Sequence, residues 1–236
     1  MSEKLQKILQ ENARFEKETP YNFCDRWCER CSLEKQVRCK LYQDEIERKI
    51  TCIAHGRDED DPEMTVEVMK QQFKSAENLL EKYARESEIN SDDGINELDF
   101  AKIKAHIEFA KNNPLRYTTE QYRRKTQIFL KGTFYKKERV KPKIAYDFET
   151  VAWYHTLLSV KLHRALCGFH EPVNEDEFGL YDAVAQFAIC KKAIKKSVEA
   201  LRKIKPIFTS CHIQISELLA LLHNVHSRIK MLEESI

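Results

Sequence analysis

Cys24, Cys28, Cys31 and Cys39 fall within a short stretch of a 236-residue chain that holds eight cysteines in all. Even scattering would put about half of one cysteine in a window of that size. The arrangement Cys24-x3-Cys28-x2-Cys31-x7-Cys39 offers four soft thiolates on one segment. Tetrahedral Zn2+ is satisfied by four such ligands at about 2.3 Å, and iron–sulfur clusters take the same number. Arg26, Arg30, Lys35, Arg38 and Lys40 lie among them. These cations favour thiolate over thiol and offset the negative charge of a four-thiolate zinc centre. Phe23 and Trp27 are placed to shield such a centre from water.

A competing arrangement is a helical stripe. On an uninterrupted helix the four positions point within about 80° of one another, but Cys24 and Cys39 then stand about 22 Å apart. One mononuclear site therefore requires the chain to turn back between Cys31 and Cys39. Redox thiols and a row of thiolates for Cu(I), which also prefers soft sulfur, are further alternatives. Zinc leads because no companion motif for redox chemistry is present. The first three cysteines share the CxxxCxxC spacing of radical SAM enzymes. That resemblance is rejected: Arg30 stands where the family has an aromatic, and the chain has no Gly-Gly pair. Cys52-x-x-His55 is a weaker ligand pair. Cys52, Cys167, Cys190 and Cys211 otherwise read as small buried hydrophobes.

A second set of chemistry-bearing residues lies towards the C-terminus. Glu149, Thr156 and His163 recur every seven residues, with Ala152 and Ser159 beside them, as a polar line on an apolar helix. Asp182 and Gln186 share a face of the next helix. His212, Ser216 and His223 align on the last, with His226 close by. Glu149, His163, Asp182 and His212 thus form a possible pocket for acid–base work or a ligand. Di-iron bundles use Glu-x-x-His, and no histidine here has glutamate three positions before it. A satisfied hydrogen-bond network is the blander expectation. Cys167-x-x-His170 reads as a solvent-facing turn.

The third candidate is basic. From Arg123 to Lys143 nine Lys and Arg face one acid, Glu138, with Tyr122, Phe129, Phe134 and Tyr135 interleaved. Cations for phosphate and rings for stacking are the equipment of single-strand binders. Arg123, Arg124, Lys136 and Lys137 are the patch residues to test. Lys191, Lys192, Lys195 and Lys196 suit the outer face of their helix.

The elements that position these residues read as helices. Residues 1–18 carry Leu5, Ile8, Leu9 and Phe15 at amphipathic spacing, and Pro20 closes the stretch. A helix follows the cysteines to about Cys52, before the polar break 55–61. Asp61-Pro62-Glu63 starts another, with Val66, Met69, Phe73, Ala76, Leu80 and Tyr83 on its seam. Asn90 to Gly94 is a loop. Phe100, Ile103, Ile107 and Ala110 mark the next helix, which stops near Pro114. Thr118-x-x-Gln121 is the expected capping box of its successor, with an end near Gly132. Ile144 to Leu166 forms a helix. Asn174-x-x-Glu177 caps another, which Pro206 breaks, and the last covers about Ser210 to Glu233. The fold class is all-α, a multi-helix bundle behind a small N-terminal cysteine-rich head, with the head at 1–57 and the bundle at 58–236, the alternative being that the two pack as one domain.

Composition agrees. Five glycines and six prolines are few for barrels, Rossmann turns or sandwiches. Forty basic against thirty-eight acidic residues give +2, too balanced for whole-surface attraction to nucleic acid or membrane. Mean hydropathy of −0.60 and no long apolar run exclude a membrane span. The charged start reads as no secretory signal. Together these features predict a cytoplasmic metal-binding protein, with structural Zn2+ in a binding or scaffold role and a protein partner or second copy as its ligand. Alternatives are an iron–sulfur redox protein on the same cysteines, an enzyme or ligand pocket in the C-terminal helices, and nucleic-acid or acidic-partner binding through 123–143. No membrane partner is expected.

Overall fold

Apolar residues at helical spacing and scarce glycine produce helices: a computed structural model shows eight α-helices and no strand among the described residues. Those residues are 2–59, 61, 63, 66, 67, 70, 73, 74, 78, 97–136, 142–170 and 178–236, with backbone alone at 97–103. Two compact units divide the chain. One comprises 1–18, 23–25 and 103–236, the other 19–22 and 26–102. The helices are α1 (Glu3–Glu18), α2 (Leu33–Arg38), α3 (Lys40–Ala54), α4 (Glu97–Asn112), α5 (Pro114–Gly132), α6 (Pro142–Phe169), α7 (Phe178–Ile204) and α8 (His212–Glu234). None is long and apolar enough, among the described residues, to cross a membrane.

In the first unit α6 and α7 pack along each other, α5 lies against α6 and α8, and α8 also meets α7. Phe148 on α6 is the aromatic hub. It stacks with Phe129 at 5.7 Å and Phe134 at 5.5 Å, and meets Phe208 edge-on at 5.3 Å. Close approach of α6 and α7 depends on Gly168, where an added Cβ would strike the carbonyl oxygen of Gly179.

The first helix, expected with the cysteine-rich head, packs on α7 instead. Its stripe supplies Leu5 and Ile8 to a cluster with Leu180 and Val184, and Asn12 Nδ2 donates to the Tyr181 carbonyl at 2.9 Å. The start of α5 also differs from the capping-box expectation. Asn113 is the N-cap, its side chain accepting from Leu115 N at 2.9 Å, and Pro114 takes the first helical position. Proline there loses no intrahelical bond, so the residue expected to stop one helix begins the next. Thr118 lies one turn in, donating back to Pro114 O at 3.1 Å.

In the second unit α3 ends where the sequence breaks. Gly56 has φ +69, Gly56 N donates to Ile53 O at 2.9 Å and Arg57 N to Cys52 O at 3.0 Å. This paired closure needs a left-handed residue, and glycine supplies it without strain. Beyond it Asp61 accepts from Glu63 N at 2.8 Å, as an N-cap does. Residues 63, 66, 67, 70, 73, 74 and 78 are helical. Val66 and Phe73 are exposed, whereas Met69, Ala76, Leu80 and Tyr83 lie outside the described residues. So do the 90–94 loop and the Asn174/Glu177 cap.

Candidate functional site

The cysteine segment is not one helix. Cys28 to Arg30 form a single 3-10 turn, in which Cys31 N donates to Cys28 O at 3.0 Å. Cys31 then takes extended backbone, φ −73 and ψ 149. α2 is six residues long, and Cys39 after it is extended again, φ −91 and ψ 107, before α3 starts. A stripe of thiols along a single rod is therefore excluded. The turns are fixed locally: Gln36 Nε2 donates to Cys28 O at 2.8 Å, and Gln43 Nε2 to Val37 O at 2.6 Å. Arg30 lies over the indole of buried Trp27, 3.3 Å from the ring centroid. Arg26 has φ +57, a left-handed conformation that costs a side-chain-bearing residue roughly 1–2 kcal/mol.

None of the eight cysteines is in a disulfide. Cys24, Cys28, Cys31 and Cys39 are partly accessible, as are Cys167 and Cys211, whereas Cys52 and Cys190 are buried. Burial pushes the Cys190 thiol well above its ordinary pKa, and that of Cys167 upward too. The core-hydrophobe expectation thus holds for Cys52 and Cys190 and fails for the half-buried pair. Among the described residues no group of three or more His, Cys, Asp or Glu stands as a metal site.

The polar line on α6 is split, two of its members facing water and the others half-buried. Glu149 and Thr156 are exposed, and so is Val160 beside them. The apolar sides of this helix are taken by α5 and α7, which leaves its remaining strip to solvent. His163 is half-buried, with Nδ1 enclosed and without a hydrogen-bond partner among the described residues. Burial, then the charges of Arg116 and Lys111, hold its pKa below the ordinary imidazole value. Asp182 accepts a two-pronged contact from Arg164, 2.7 Å at each oxygen, and a third bond from Gln186 Nε2 at 2.9 Å. His212 is exposed at the start of α8. Exposure of Glu149 and His212 is at odds with an enclosed acid–base cavity built from these four side chains.

The basic segment is largely neutralised where it is described. Arg123 donates to both oxygens of Glu120, at 2.8 and 2.6 Å, and Arg124 Nε to one at 3.0 Å. These contacts hold the Glu120 carboxyl down to about 2. Lys125 reaches Glu217 on α8 at 2.6 Å. Tyr122 and Phe129 are core residues, and Phe134 stacks on Phe148, so three of the four rings counted for base stacking point to the interior. Lys136 is exposed; Lys137 lies outside the described residues. Of the α7 lysines expected to face outward, Lys191 grips Glu233 on α8 at 2.6 and 2.8 Å.

Three polar assemblies have no signal in the sequence pattern. Asp25 is buried, and its Oδ2 accepts from Tyr154 OH at 2.6 Å and from Lys192 Nζ at 2.8 Å. Its backbone oxygen accepts from Trp153 Nε1 at 2.9 Å. Adjacent residues of α6 thus hold the tripeptide that carries Cys24. Buried His155 lies between Ala152 O and the Gln127 side chain, its pKa lowered chiefly by burial. The third is the meeting of His106 with His170. A buried tryptophan or tyrosine announces that its polar tip needs a partner, but not which residue supplies it. No protein-family model, curated protein or solved structure matches the chain.

Proposed function

We propose that this chain is a cytosolic helical binding or scaffold protein whose N-terminal segment takes up a structural thiophilic ion, Zn2+ foremost, through Cys24, Cys28, Cys31 and Cys39. The observation that carries this reading is the twofold interruption of helix, at Cys31 and at Cys39. Four thiols on a straight rod have no means of sharing one ion, whereas extended residues at these two positions let short pieces gather round it. Arginines and lysines among the cysteines favour the thiolate form. The thiols draw together as the ion binds, since metal binding and local folding are coupled in small thiolate sites.

Protein purified without oxygen is expected to carry about one zinc per chain by elemental analysis and to show no visible colour. Cys28→Ser and Cys31→Ser should each release the metal and increase proteolytic cleavage within 19–59, while far-UV helicity changes little. Unchanged metal content in both variants overturns the proposal. Brown protein with sulfide-derived absorption replaces zinc with an iron–sulfur cluster on the same thiols.

A further inference from the structure

Two imidazoles meet in the first unit, neither of them a residue of the thiol segment. His106 on α4 and His170, the residue after α6, bring their Nδ1 atoms to 3.2 Å. Their rings cross at 74° with centroids 5.3 Å apart. Phe109 stacks on His170 at 4.2 Å, planes 23° apart, and so restrains that ring. His106 is half-buried and His170 exposed. When both rings are neutral, one Nδ1–H donates and the other Nδ1 accepts, so a single shared proton satisfies the contact.

A metal ion can take that proton's place. Imidazole nitrogen binds Zn2+ at about 2.0–2.1 Å. Two such ligands stand about 2.9 Å apart at a right angle and about 3.4 Å apart at the tetrahedral angle, by simple trigonometry on that bond length. The observed 3.2 Å lies between the two. We propose that His106 and His170 are a two-imidazole site for a divalent transition-metal ion of the Ni2+, Cu2+ and Zn2+ group, the ions that suit imidazole. No third His, Cys, Asp or Glu joins them among the described residues. The other coordination positions go to water or an incoming ligand, and binding ties α4 to the end of α6.

The test is titration of the full chain with Ni2+ while the ring signals of its isotopically labelled histidines are followed. Sub-stoichiometric Ni2+ should broaden His106 and His170 before the other six histidines. His106→Gln and His170→Gln should each weaken imidazole-bound Ni2+ at least tenfold and abolish the rise in thermal midpoint that Ni2+ gives the parent. His223→Gln, exposed on α8, should change neither. Nickel on the thiol segment shows separately as thiolate charge-transfer absorption, so failure here and failure of the zinc proposal are distinguishable. No broadening at this pair, broadening that begins elsewhere, or loss of affinity in only one of the two variants overturns the site. Should a variant misfold, the parent's broadening pattern decides.

Discussion

The C-terminal helices and the cysteine segment are built on opposite principles. In α5 to α8 the large apolar side chains are enclosed: Phe129, Phe148, Leu158, Leu162, Phe187 and Leu201 are all buried. Between residues 26 and 54 Leu33 is 74% exposed, and Val37, Ile50 and Ile53 are exposed as well, with Trp27 and Cys52 alone among the large or sulfur-bearing apolar residues buried. A six-residue helix such as α2 is far below the length at which helices hold themselves. Small units short of apolar core draw their order from crosslinks or metals. Here the thiols cluster in a stretch with little buried apolar surface, where a metal has much to add. One region gets its order from hydrophobic transfer, the other from local hydrogen bonds, to which the proposed ion would add.

The largest effect separates the two directly. Phe148→Ala empties the hub that Phe129, Phe134 and Phe208 surround and should cost about 3–5 kcal/mol. Leu33→Ala should move stability by no more than about 0.5 kcal/mol, as exposed substitutions do. Urea unfolding followed by far-UV dichroism measures both. A cost above about 2 kcal/mol for Leu33→Ala would break the comparison, because it would show the cysteine segment to have a core of its own.

Asp25 sharpens it, since this residue belongs to the first unit although the next one, Arg26, belongs to the second. Asp25→Ala removes the carboxylate that accepts from the buried Tyr154 phenol. The expected cost is about 2 kcal/mol. Lys192 shares the same oxygen, but its side chain is 54% exposed, so Lys192→Ala should cost well under 1 kcal/mol. Equal costs for the two substitutions, measured by urea titration, would mean that the ion pair rather than the phenol bond holds this tripeptide.

Sequence pattern and structure agree where one period governs. Apolar recurrence along 144–166 and 210–233 predicts helices that the structure extends only to Pro142–Phe169 and shifts to His212–Glu234. Agreement fails where two local signals compete. Asn113 and Thr118 are both good cap residues, and Pro114 decides between them by taking the first helical position. It fails differently for the polar line on α6. Glu149, Thr156 and His163 are spaced correctly for one face, but periodicity states that they share a side and not whether that side is wet. Contacts between distant positions are the least legible. Tyr154 finds Asp25 across 129 positions and His106 finds His170 across 64, and no local feature of either member names the other. For the thiols a single shared site requires the chain to turn back between Cys31 and Cys39, and what the structure shows there is helix interrupted by extended backbone at both residues.

The smallest effect concerns charge at the bundle surface. Arg123 and Arg124 hold the Glu120 carboxyl at about 2 instead of the ordinary 4.5. A carboxyl depressed on folding lends stability at pH values above its unfolded pKa and loses it as pH falls towards the folded one. Its contribution is therefore complete above about 4.5, shrinks between about 4.5 and 2, and is absent below. The displacement sets a ceiling of about 3 kcal/mol, but Arg124 is 73% exposed and Arg123 37%, so solvent screening brings the value to about 1 kcal/mol. Glu120→Gln should accordingly lower stability by about 1 kcal/mol at pH 7 and by almost nothing near pH 2. Urea midpoints of the two proteins, taken across that range, should converge. A gap that persists at pH 2 would assign the effect to packing of the side chain on α5, and a gap of 3 kcal/mol at pH 7 would place this fork alongside the apolar core as a support of the bundle.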